Sequence, residues 1–467
     1  MTMTRRAACR ALLAGSLRAQ APGPSRKPNV IVILADDLGY GDISCYGAPD
    51  VRTPHIDAMA AAGMRLTDGY VSAAVCSPSR AALLTGRCQQ RFGHEFNPGS
   101  AEREAQIGFG LPASEKILPQ YLKPAGYTSA IIGKWHLGAR PGFHPLDRGF
   151  DEFYGFLGGA NDYLTSSTPG ARAAGKGNAI PSKRVHPILR GRAEVAERRY
   201  LTDAFAEEAV QFIERNRRRP FFLYLALNAV HSPLHATDRY WDRFAGIKNE
   251  RRRIMAAMAS AMDEAAGAVL RKVRECSLER DSLIFFLSDN GSPILSGAGS
   301  NQPLNGEKCT YYEGGVRVPF VAVWPGHIPA GKVYTDPVVS RDILPTALRV
   351  AGIAPQQGVE LDGVDLLPFL EGGKTHLPHD ILCWRAGKGR AVRMGKWKLV
   401  EFGDGYSKLY DVSADVGEKK DVSAEFPAIR QELQQAWKNW SAKMAPPAWP
   451  ARHREITVNG ERLTWEL

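Results

Sequence analysis

Four short apolar runs, each followed within a few residues by polar side chains, constrain this chain more than any other feature. Val30–Leu34 leads to Asp36-Asp37, Thr128–Ile132 to Lys134 and His136, Phe221–Leu227 to His231, and Ser282–Leu287 to Asp289-Asn290. Runs that are apolar without alternation read as strands buried on both faces, the pattern of a parallel sheet. Helical stripes lie between them: Phe205, Ala209, Phe212 and Ile213 on one segment, and Met255, Met258, Met262, Ala266, Val269 and Val273 on another. Strand and helix alternating in this way predict an α/β fold, with a large mixed, mostly parallel sheet sandwiched by helices. Ligands of open α/β sheets sit at the carboxyl ends of the strands, where these polar residues fall. Taken singly, each has a plain reading as a turn or a satisfied core histidine.

Composition narrows the class. With 467 residues, 44% of them hydrophobic and 23% charged, the chain is neither disordered, fibrous nor a coiled coil. The longest apolar run is far short of the roughly 20 residues that span a bilayer. The formal charge is +11, but Lys and Arg are scattered, with no zinc finger, helix-turn-helix or aromatic-basic interleaving, which argues against nucleic acid. Residues 1–21 read as an export signal: Arg5-Arg6 form a twin-Arg pair, Ala11–Leu17 is apolar, and Ala19-Gln20-Ala21 has a cleavable form. A periplasmic or secreted protein is expected, and losing these residues leaves a charge of +7. The seven cysteines show no metal-site spacing; beyond Cys9 and Cys76, the rest are available as thiols or for pairing.

Residues 22–372 are expected to form the large domain. From 373 to 467 the pattern changes to a smaller α+β subdomain: strands over Ile381–Trp384, Ala391–Phe402 and Leu409–Val412, then a helix over Phe426–Met444. The polar segment Gly170–Arg199 reads as a long loop over the crevice.

The most specific segment is Cys76-Ser77-Pro78-Ser79-Arg80, continuing to Thr85-Gly86-Arg87. Pro78 suits a first helical turn and Gly86 a helix end, so Cys76 falls at a helix N-terminus, where free amides and Arg80 favour anions. An unmodified Cys76 reads either as a low-pKa thiolate or as a small buried side chain. This segment resembles the signature of the type I, formylglycine-dependent sulfatases of the alkaline phosphatase superfamily. The resemblance extends to Val30–Gly41, to Gly133-Lys134-Trp135-His136-Leu137-Gly138, to Ser288–Gly291 and to Asn305–Pro319, covering about residues 28 to 444. Val230-His231-Ser232-Pro233-Leu234 and Leu361-Asp362-Gly363 resemble the arylsulfatase A and galactosamine-6-sulfatase branch.

The resemblance implies an alkaline-phosphatase-like catalytic domain and a calcium site built from Asp36, Asp37, Asp289, Asn290 and an oxygen of modified Cys76. Calcium takes hard oxygen ligands of this kind, and a divalent cation explains the convergence of three carboxylates. The implied mechanism uses a formylglycine gem-diol at position 76, helped to ionise by the metal and Arg80, to form a covalent sulfo-enzyme intermediate. Lys134 and Lys308 would hold sulfate oxygens, His231 would protonate the leaving alcohol, and His136 would take the proton that lets the intermediate collapse. A maturation enzyme that converts Cys76 is an implied partner. The substrate expected is a sulfated saccharide, such as a galactose- or hexosamine-sulfate glycan, or an aryl sulfate, with His94, Asn161, Asp162 and His235 as candidate contacts. Cys309, beside Lys308 where a small residue is more usual, reads as a packed thiol. Two other functions fit parts of the pattern: a phosphodiesterase or phosphonate monoester hydrolase using the same site, and a polyanion-binding protein in which Cys76 stays a thiol.

Overall fold

A computed structural model describes residues 26–175, 179–294, 297–403 and 405–466. The export-signal reading of residues 1–21 lies outside them. At the centre is a ten-stranded sheet. From edge to edge it runs Lys332–Tyr334, Met64–Leu66, Phe320–Val323, Ser282–Ser288, Asn29–Ala35, Phe221–Ala226, Thr128–Lys134, Glu152–Phe156, Ile188–Arg190 and Ala193–Val195. The four expected strands are the middle of this sheet and are mutually parallel with Glu152–Phe156. Antiparallel additions flank them on both sides.

Alternate residues of each central strand feed two separate cores. Ile31, Ile33, Leu223, Leu225, Ile284 and Phe286 pack under helices Leu201–Asn216 and Glu250–Glu275, which carry the expected apolar stripes. Val30, Val32, Phe222, Tyr224, Leu283 and Phe285 pack on the other face against helices Cys76–Thr85, Leu118–Leu122 and Ile343–Val350. Burial on both faces is why these strands show no alternation in sequence.

Segment Gly170–Arg199 is not one loop. It contains the short strands Ala171–Ala173, Ile188–Arg190 and Ala193–Val195, the last two extending the main sheet. The expected strand Ala391–Phe402 is two, Gly389–Met394 and Trp397–Phe402, folded back at a turn around Gly395. With Ile381–Ala386 and Tyr406–Asp411 they make a four-stranded antiparallel sheet backed by helix Pro427–Ser441. A hairpin, His453–Val458 with Glu461–Glu466, follows.

The smaller sheet is bound to the larger part through a shared apolar cluster that includes Tyr70, Val316, Trp384 and Trp449. Trp384 is 1% exposed; its ring lies 5.5 Å from that of Tyr70, and its indole donates to the Val71 carbonyl at 2.8 Å. None of the six described cysteines is joined in a disulfide. Among the described residues no helix is long and apolar enough to cross a membrane. Trp384→Ala should cost about 3–5 kcal/mol in urea unfolding, since it leaves a large cavity and an unpaired carbonyl. Limited proteolysis of that variant should open the C-terminal sheet first.

Candidate active site

Helix Cys76–Thr85 starts where predicted and is buried along its whole length. Gly86 ends it in the left-handed conformation, φ 67°, as a glycine without a Cβ can. Val75 at the N-cap offers no side-chain oxygen, and Asn97 instead accepts from the Ser77 amide at 3.0 Å. Cys76 therefore sits in the first turn with its side chain facing the strand ends.

Around it lies a buried cluster of three carboxylates and three cations. Arg80 Nε and Nη2 reach Asp289 Oδ2 at 2.9 and 2.8 Å, Lys134 Nζ reaches Asp36 Oδ2 at 2.6 Å, and Lys308 Nζ reaches Asp37 Oδ1 at 2.7 Å. Arg80 also donates to the Lys134 carbonyl at 3.0 Å, tying the helix to the strand. Cys76 Sγ is 3.4 Å from both Asp36 Oδ1 and Lys308 Nζ. Asp36, Arg80 and Lys134 are each 0% exposed, so their charges persist only because they are paired.

Ligand atoms of Asp36, Asp37, Cys76 and His231 all lie within 4.8 Å of one another, a spacing that can hold a metal ion. Asp289 and Asn290 close the same cluster: Asp289 Oδ1 accepts from the Asp37 amide at 3.3 Å, and Asn290 Nδ2 donates to Asp37 Oδ1 at 2.7 Å. Asn290 Oδ1 is buried with no hydrogen-bond partner, and a hard cation would satisfy it. The oxygens of Asp36, Asp37, Asp289 and Asn290 are hard donors of the kind that calcium takes.

The cluster sets the protonation of its neighbours. Burial and the Asp36 carboxylate push the Cys76 thiol up, the opposite of a low-pKa thiolate. Burial and Asp36 likewise raise Asp289 to about 6. Burial, reinforced by Lys134, Arg80 and Lys308, holds His136 well below its ordinary value and so neutral. His231 is lowered to about 4 by burial, with Asp37 opposing and Lys308 and Lys134 assisting. Its Nδ1 lies 2.6 Å from the Ser232 carbonyl and its Nε2 3.5 Å from Asp37 Oδ2. Asp37, His136 and Cys309 all adopt positive φ, at 62°, 59° and 76°. Three non-glycine residues in the left-handed region at one site mark backbone held under strain by its surroundings.

The cluster opens into a cavity of about 510 Å³. Cys76, His136, His231, Lys308 and Cys309 lie at its inner end, and Asn97, Glu104, Gly159, His186 and Arg452 are among its walls. The four candidate sugar contacts are not among the lining residues. His94 is fully buried, holding the Ser77 hydroxyl at 2.7 Å and packing against Trp449. Asn161 brackets the backbone of His186, and Asp162 accepts from the Val185 amide. His235 is buried in the short strand His235–Thr237, its carbonyl accepting from the Tyr200 hydroxyl. They brace the loops that form the wall. His186, Glu104, Gly159 and Arg452 were missed; only His186 had a signal, its place in the segment 170–199.

A pocket that joins a helix N-terminus, paired buried cations and a carboxylate cage is that of a hydrolase for charged esters. The Sulfatase family matches residues 28–353, and the chain belongs to that family: it is a sulfuric ester hydrolase. It is 37% identical to dog N-acetylgalactosamine-6-sulfatase over 391 residues, covering 81% of this chain and 72% of the relative. It is 35% identical to human arylsulfatase A over 462 residues, covering 88% and 87%. Among solved structures, Ps i-CgsB in complex with k-i-k-neocarrahexaose superposes with a TM-score of 0.82 at 35% identity, covering 91% of this chain and 95% of that one.

A Cβ on Gly159 would fall 2.5 Å from His136 Nε2. Gly159→Ala should therefore displace the imidazole and lower kcat by about a hundredfold, with little change in thermal midpoint. An unchanged kcat would remove His136 from the chemistry.

Proposed function

We propose that this sulfatase cleaves sulfate esters of a sulfated carbohydrate, a galactose- or hexosamine-sulfate glycan, by the formylglycine route with calcium in the carboxylate cage. The observation that carries the reading is the placement of position 76 among Asp36, Asp37, Arg80 and Lys308 at the foot of a cavity large enough for a sugar. The chain's similarity to N-acetylgalactosamine-6-sulfatase and to Ps i-CgsB, solved with a neocarrahexaose, supports the choice of a saccharide. We also keep the reading of residues 1–21 as an export signal, which suits an extracellular glycan.

Asp36, Asp37, Asp289 and Asn290, with an oxygen at position 76, would hold the metal, which together with the modified residue supplies an ionised oxygen nucleophile. The protein's own three carboxylates and three cations balance, so a divalent ion makes the site positive and ready for an anion. Arg80 sits against the helix turn and steadies negative charge at position 76. Lys134 and Lys308 bind non-bridging sulfate oxygens and neutralise charge that builds up on them. His136, neutral and with a buried Nδ1 lacking a hydrogen-bond partner, takes a proton from the group at position 76. His231 is the acid for the leaving oxygen. An incoming sulfate ester adds a negative charge beside it, which raises its affinity for the proton it must deliver.

Mass spectrometry of the tryptic peptide Leu66–Arg80, from protein made with a maturation enzyme, should show the aldehyde in place of the thiol. A peptide that stays a thiol in an active enzyme would refute the route. His231→Ala should slow cleavage of a sugar sulfate by about 10²- to 10⁴-fold, yet affect nitrophenyl sulfate, whose leaving group needs little protonation, far less. Calcium added after chelation should raise the thermal midpoint, because an ion that binds only the folded state stabilises it. Faster hydrolysis of a nitrophenyl phosphate diester than of nitrophenyl sulfate would favour a phosphodiesterase.

A further inference from the structure

The cations at the foot of the cavity are accounted for by the scissile sulfate, whereas a further cation on its rim is not. Arg452 lines the same cavity as Cys76, although the two lie in opposite parts of the chain. The segment that carries it is laced to the cavity wall. Ala445 and Ala448 amides donate to the Gln90 and Gly93 carbonyls, both at 2.9 Å, and the Trp449 indole donates to the Phe96 carbonyl at 3.2 Å. Trp449 also packs edge-on against His94 and Phe109, and Arg103 holds the Pro450 carbonyl at 3.0 Å.

The guanidinium lies against Gly99, where a Cβ would fall 2.7 Å from Nη1. Gly99 has a φ of 93°, so the backbone there favours glycine and leaves room for the flat group. Other arginines near this wall are committed: Arg87 to Glu115, Arg91 to Asp362 and Arg385 to Glu95. Among the described residues no carboxylate is paired with Arg452. Glu102 and Glu104 line the same cavity, burial raising the Glu104 carboxyl to about 7, and Arg452 is the one arginine among the described lining residues that can take an anionic group. His186 also lines the cavity, stacked on Phe156 and gripped by Asn161 through its backbone.

We infer that Arg452 is a second anion site: it binds a second negatively charged substituent, a sulfate or a carboxylate, on the saccharide whose ester is cleaved at position 76. A planar guanidinium offers two parallel donors that suit either anion. The enzyme would then prefer glycans carrying two anionic groups, a preference that the lysines beneath cannot create because they hold the scissile group. The inference rests on the sulfated-saccharide reading above.

The test follows nitrophenyl sulfate hydrolysis by the full, matured chain in the presence of competing disaccharides. One carries a single sulfate, one a second sulfate, and one a sulfate and a uronate carboxylate. The two dianionic competitors should bind wild type about tenfold more tightly than the monosulfated one. Arg452→Gln should erase that gap while kcat and KM for nitrophenyl sulfate stay within about twofold. Arg452→Lys should keep part of the gap, since the charge remains and the fork is lost. Unequal gaps for the second sulfate and the carboxylate identify which anion the site takes. Equal inhibition of wild type by all three would overturn the proposal, as would a gap unchanged in Arg452→Gln or a loss in that variant shared by nitrophenyl sulfate. A wild type that cleaves nitrophenyl sulfate and no saccharide would sink the carbohydrate reading instead, and the inhibition constants would still decide this one.

Discussion

Three buried carboxylates facing three cations, two of them fully buried, are the constraint on which this structure turns. Asp36, Asp37 and Asp289 lie on one side, and Arg80, Lys134 and Lys308 on the other, each acid touching a base. Removing one member of such a pair leaves an uncompensated charge away from water, a loss of about 3–5 kcal/mol. Strand ends, helix Cys76–Thr85 and the Lys308 loop must therefore arrive together. Under the proposed function the same balance is useful, because a divalent ion held there would leave the excess positive charge that draws in an ester anion.

Strain at the site is held by what lies behind it. Asp37, His136 and Cys309 occupy the left-handed region, a conformation that costs about 1–3 kcal/mol each when the surroundings do not impose it. Behind Cys309, the turn at Glu313–Val316 is anchored to the smaller sheet. Glu313 accepts from the Tyr70 hydroxyl at 2.6 Å and from Lys398 at 2.7 Å, and its amide donates to Glu418 at 2.7 Å. Lys398 comes from strand Trp397–Phe402, so the C-terminal sheet contributes to placing Lys308 without touching the cavity floor. Its neighbouring segment reaches the rim directly through Arg452.

Much of the fold was legible because burial on both faces leaves a direct mark on composition. Val30–Leu34, Phe221–Leu227 and Ser282–Leu287 could hardly be anything but inner strands, and the stripe from Met255 to Val273 could only face a core. The outer strands left no such mark. Lys332–Tyr334, Ile188–Arg190 and Ala193–Val195 are three residues long and partly exposed, so no period could reveal them. The turn that splits Gly389–Met394 from Trp397–Phe402 hides in a run of strand-forming residues with one glycine.

The chain's order of residues by itself determined the chemistry of the centre: which carboxylates, cations, imidazoles and cysteine stand at strand ends or at the first turn of a helix. Those positions follow from local rules, since strand burial and helix start signals act over a few residues. What only the tertiary structure decided is the shape around that centre. His94, Asn161 and His235 turned inward to brace loops, while His186 and Arg452 came to line the cavity. The reason is physical. Whether a polar side chain faces a cavity or supports its wall depends on contacts with segments far along the chain, such as Trp449 against His94, and a linear pattern carries no record of which distant segment will pack there.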